Sequence, residues 1–132
     1  MDAQHVAIAE TCLHGAHDGG MSFPVIVQTL ITKGFEGYFV DYRRDTTTYY
    51  LADGDSVTLE NLASGGAIAP GFDADGVAAQ IRWAQANPPE YSYDAFCRNV
   101  RAAGCAGYLV SFPGRRVVYL GRTGDTHVEL MP

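Results

Sequence analysis

Apolar positions along this chain follow two rhythms, and the order of the rhythms repeats. From Asp2 to about His17, Val6, Ala9, Leu13 and Ala16 recur on one helical face, with Asp2 placed to cap the start and Gly19-Gly20 to stop it. A second stripe, Ile26, Val27, Leu30 and Ile31, follows Ser22 as cap, with Pro24 in the first turn and Gly34 as a left-handed stop. The period then changes to two. Tyr38, Val40 and Tyr42 point one way, and Phe39, Asp41 and Arg43 the other. Arg44-Asp45 is the expected turn, Thr46 to Leu51 a returning strand, and Asp53-Gly54 a hairpin signal leading to a third strand, Asp55 to Leu59.

The same plan returns at a constant offset of seventy. Asp73 and Ser92 cap two further helices, the first carrying Val77, Ile81 and Trp83 or Ala84, the second Phe96, Cys97 and Val100. Gly104, Gly107 and Tyr108 match Gly34, Gly37 and Tyr38, and Tyr119, Gly124 and Asp125 match Tyr49, Gly54 and Asp55. Matched caps, stops and turn glycines carry strong backbone demands, so the agreement marks an internal duplication. After Asp125 the register is expected to slip by one, because Val57 and Leu59 resemble Val128 and Leu130 more than His127 and Glu129.

This predicts a single α+β domain over 1–132: repeat 1 over about 2–62, an uncharged Gly/Ala/Pro linker at about 63–71, and repeat 2 over about 72–132. Each repeat is a helix-helix-three-strand unit, with helices packed on one face of antiparallel sheet. One six-stranded sheet and two facing sheets both fit the pattern.

Composition narrows the class. Apolar residues are 47% and charged residues 18% of the 132, a balance that supports a core. No apolar run reaches the roughly 20 residues that cross a bilayer, and no signal-peptide pattern is present, so a cytoplasmic protein without membrane partners is expected. The net charge is −6, with nine acidic and three basic residues before Ala63, which disfavours nucleic acid. Arg98, Arg101, Arg115, Arg116 and Arg122 read as a solvated face. Cys12, Cys97 and Cys105 have no metal or disulfide spacing and read as small buried residues.

Candidate chemistry falls in two places. Glu10, His14 and His17 stand along one side of the first helix, a spacing with metal-ligand residue types but without the further ligands a site needs. The sheet face away from the helices could gather Asp41, Arg43 and one row of the tyrosine-threonine strand, either Thr46, Thr48 and Tyr50 or Thr47 and Tyr49, beside Ser111 and Tyr119. Hydroxyls and aromatic walls there suit a ligand surface and suit cross-strand pairs equally. Asp41 with Tyr42 or Tyr49 would serve acid–base chemistry if buried together, and His127 with Glu129 is a further pair, expected on the solvated side. No nucleophile elbow, HExxH, P-loop or dinucleotide motif occurs. The reading is a non-catalytic binding module without a cofactor, for a small molecule, a protein or a second copy in a homodimer. A small enzyme is the alternative.

The string FPxxxxxLxxxGxxGYxVDYxxxTxTYYxxDG from Phe23 to Gly54, with YxxFxxxxxxAGCxGYxV from Tyr93 to Val110 and GDxHVE from Gly124 to Glu129, resembles a bacterial and prophage family labelled "phage envelope protein". That resemblance spans nearly the whole chain and implies a fold but no assigned catalytic residue.

Overall fold

A computed structural model describes residues 1–62 and 65–132. The elements are α1 (Ala3–Asp18), α2 (Phe23–Thr32), β1 (Phe35–Asp41), β2 (Thr46–Leu51), β3 (Ser56–Glu60), α3 (Ala74–Ala86), α4 (Tyr93–Ala102), β4 (Cys105–Ser111), β5 (Arg116–Gly121) and β6 (Thr126–Leu130). All six strands form one antiparallel sheet in the order β3-β2-β1-β4-β5-β6, so the two repeats join edge to edge through β1 and β4.

Local chemistry sets the element ends. Asp2 accepts the backbone N–H of His5 at 2.8 Å, Asp73 that of Gly76 at 3.0 Å and Ser92 that of Ala95 at 3.1 Å. Ser22 occupies the cap position of α2, but its hydroxyl makes no capping bond. Gly34 and Gly104 both leave their helices in the left-handed conformation, at φ 89° and 94°. The β1–β2 and β4–β5 turns place Asp45 and Arg115, seventy residues apart, at φ 54° and 51°.

The seam is a local twofold. Phe39 pairs with Leu109, its own equivalent in the other repeat, so a pseudo-twofold axis passes through the sheet between them. Gly37 and Gly107 permit the close approach: a Cβ on Gly107 would lie 2.6 Å from the carbonyl oxygen of Val40, and one on Gly37 would run into that of Val110. Aromatic contacts obey the same symmetry. Tyr38 and Tyr49 tilt at 33° with centroids 5.4 Å apart, and Tyr108 and Tyr119 at 33° and 5.1 Å.

All four helices lie on one side, and the core forms between them and the sheet. Leu30, Val40, Val77, Val100 and Val110 are fully buried there, each stabilising the fold by about 1.5–3 kcal/mol relative to exposure. Ile31, expected in the buried stripe, is 46% exposed. The offset of seventy persists through the last strand: Val57 pairs with Tyr49 as His127 pairs with Tyr119. The expected slip therefore does not occur. His127 and Glu129 stand on the helix side, and Val128 and Leu130 face away, because the same glycine turn closes both hairpins, Gly54 donating to the Leu51 carbonyl and Gly124 to that of Gly121, and so fixes the register.

In the linker, Ala63 and Ser64 lie outside the described residues, and Ile68 and Ala69 are tied to the second repeat. Ala69 donates its N–H to the Arg101 carbonyl, and the Arg122 side chain donates to the Ile68 carbonyl. The three cysteines are buried and free.

Candidate functional site

One face of the sheet is covered by helices and the other is bare. Alternation puts Tyr38, Val40, Thr47, Tyr49, Tyr108, Val110, Val117 and Tyr119 under the helices, all buried. Their neighbours face outward. The pairing registers align those neighbours into a row across all six strands: Thr58, Thr48, Phe39, Leu109, Val118 and Val128. The two outer members in repeat 1 are threonines, and from Phe39 onward the row is apolar. Leu120 and Leu130 extend the apolar part, and Leu109, Val128 and Leu130 are 37%, 43% and 72% exposed.

This geometry separates the anticipated surface set into two. Asp41, Arg43, Thr48 and Tyr50 belong to the bare side or its end. Tyr49 and Tyr119 do not: they lie on the covered side, in the core, because their partners Tyr38 and Tyr108 point inward in the same register. The Asp41 carboxylate accepts the backbone N–H groups of Arg43 at 2.9 Å and Arg44 at 3.1 Å, which closes the β1–β2 turn. Thr48 and Thr58 hydroxyls bond to each other at 2.9 Å across β2 and β3. Both residues thus have a local structural task. Asp41 and Tyr49 face opposite sides and form no acid–base pair.

The covered side holds a polar network that crosses the repeats. Tyr93 and Tyr108 hydroxyls meet at 2.6 Å, and the Tyr42 hydroxyl donates to the Cys97 sulfur at 3.4 Å. Burial pushes all four groups above their ordinary pKa, so they stay protonated at neutral pH. Arg101, 2% exposed, donates to the Asp45 carboxylate at 2.7 Å and to the Gly65 carbonyl at 3.2 Å, and its guanidinium lies 4.6 Å from the Tyr42 ring centre. These contacts bind α4 of repeat 2 to the first hairpin of repeat 1.

Glu10, His14 and His17 do not converge. Glu10 and His14 line a shallow depression with Asp18, Gly20 and Met21. His17 turns inward, where its Nδ1 lies 2.6 Å from the Asp94 carboxylate and its ring meets Tyr93 edge-on at 4.9 Å. Its Nε2 is buried with no partner among the described residues. Among those residues, no group of three or more His, Cys, Asp or Glu is placed to hold a metal ion. His127 Nε2 and Glu129 form a pair at 2.6 Å on the helix side of edge strand β6, both side chains partly exposed. Sequence spacing could not reveal the His17–Asp94 contact, whose members lie 77 residues apart.

Among the described residues, no helix is long and apolar enough to cross a membrane. No family model matches the chain, and no curated protein matches it.

Proposed function

We infer that this chain is a non-catalytic interaction module that docks through the bare face of its sheet. The observation that supports the reading is the uncovered apolar half of that face, Leu109, Val118, Leu120, Val128 and Leu130, continued into repeat 1 by Phe39. Side chains of this kind gain from removal from water, whereas Asp41 and Thr48 are engaged within the sheet. The phage-envelope-protein resemblance is part of this proposal and supplies the scaffold without an activity.

The test is a dye titration. An environment-sensitive apolar dye should brighten with the wild-type chain and lose most of that response in Leu109→Lys/Val118→Lys, with an unchanged circular dichroism spectrum. An equal response from both proteins refutes the reading.

A small enzyme remains the second reading, favoured by the unpartnered Nε2 of His17 opposite its Asp94-bound Nδ1, the arrangement of an oriented imidazole base. It requires α1 to open at its end so that Nε2 meets substrate. A metal-assisted version would use Glu10 and His14, and a divalent-metal panel that leaves the melting temperature unchanged ends it.

A further inference from the structure

We propose that the partner of the bare face is a second copy of this chain, packed sheet on sheet about a twofold axis that runs across the strands. The proposal rests on the reading of that face as the docking surface. Area, patterning and charge each support it.

Six strands about 4.8 Å apart, each about five residues long at about 3.3 Å rise, present about 500 Å² per copy. The pair would bury about 1,000 Å², which reaches the lower bound of a specific interface and stays well below a large obligate one. A reversible dimer fits that size.

Patterning selects the axis. Phe39, Leu109, Val118 and Val128 stand opposite one another in consecutive strands. A twofold axis laid along this row sets each apolar side chain over its own counterpart, with the two sheets crossing at the common angle of about 30°. An axis along the strands at the β1–β4 seam, the one that overlaps all six strands, would instead set Val118 and Val128 over Thr48 and Thr58, and apolar groups would meet hydroxyls already bonded to each other.

Charge agrees with the same axis. Arg116 and Asp41 flank the apolar row on opposite sides, Arg116 level with Ser111 and Asp41 level with Gly107. Turning one copy over exchanges those sides, so the stem of Arg116 of each copy lies over Leu120 of the other, on the level of that copy's Asp41 and two strands from it. Only Ser111 and Gly107 lie between them. One Asp41 oxygen is engaged by the turn, and the other is free to accept a guanidinium. Two such pairs per dimer offset the repulsion between copies that each carry −6.

Sedimentation equilibrium of the full chain, up to about 1 mM where even a millimolar contact is half formed, decides the matter. The expected result is a concentration-dependent dimer that Leu109→Lys/Val118→Lys reduces to monomer, with unchanged circular dichroism. Val128→Lys, at a more exposed position, weakens it in the same direction if the double variant folds poorly. Arg116→Glu raises the dissociation constant roughly tenfold. A dimer that survives both lysine variants places the contact elsewhere and overturns the proposal. A wild-type monomer at about 1 mM also overturns it. If that monomer still gives the face-dependent dye response, the docking face stands and only the second copy fails; if it gives none, both fail.

Discussion

Alkali should unfold this protein through its tyrosines. Tyr38, Tyr42, Tyr49, Tyr108 and Tyr119 are each no more than 7% exposed, and burial raises all five well above the ordinary phenol value of 10.0. The folded chain keeps these protons while the unfolded chain releases them near pH 10, so the unfolded state binds fewer protons and stability falls as pH rises. The contribution is complete below pH 10 and is lost progressively above it. Five such groups remove about 4 kcal/mol by pH 10.5 and about 7 kcal/mol by pH 11. Against a total of about 5–15 kcal/mol, unfolding falls within one to two units of pH 10. Tyrosinate absorbance and far-ultraviolet circular dichroism, followed together, should show these phenols ionising in one steep step as secondary structure disappears. Smooth ionisation near pH 10 with the spectrum intact would refute the reasoning, because it would mean that the rings are not desolvated.

Three further outcomes follow from single contacts. Asp45→Asn keeps a residue type that tolerates φ 54° but leaves the buried guanidinium unpaired, and should cost about 3 kcal/mol in urea unfolding. Arg101→Met leaves only a carboxylate that is 37% exposed and can turn to water, and should cost less, about 1–2 kcal/mol; the reverse order would refute the assignment of Arg101 as the costly partner. Gly37→Ala and Gly107→Ala should each destabilise by about 1–3 kcal/mol or more, since the added methyl meets backbone across the β1–β4 seam; a neutral urea midpoint would show that the strands can part there. A thiol reagent at pH 8 should label no cysteine in the folded chain and all three in denaturant, since burial pushes Cys12 and Cys105 up to about 11 and raises Cys97 as well.

How much of this was legible before the structure depends on the range of the interaction. Helix starts at Asp2, Asp73 and Ser92 and stops at Gly34 and Gly104 were readable, because each is satisfied within a few residues. The candidate surface was half readable. Both rows of TTTYY mix hydroxyls with an aromatic ring, so composition cannot say which one faces the helices; pairing with Tyr38 decides that Tyr49 does. Val128 and Leu130 misled for the same reason, since apolar character suggests the core while the strand register sends them to the bare face.

Local backbone preference and periodicity specify a duplicated helix-helix-three-strand unit, its turns and its α+β class, and all of these can be read along the chain. That the units share one sheet through β1 and β4, that His17 meets Asp94 and Arg101 meets Asp45, and that the bare face carries an apolar row emerges in the folded chain alone. Those features depend on which strand edge pairs with which. That choice is set by the fit of Gly37 and Gly107 against opposing backbone and by the packing of side chains some seventy residues apart, and it leaves no periodic trace in the chain.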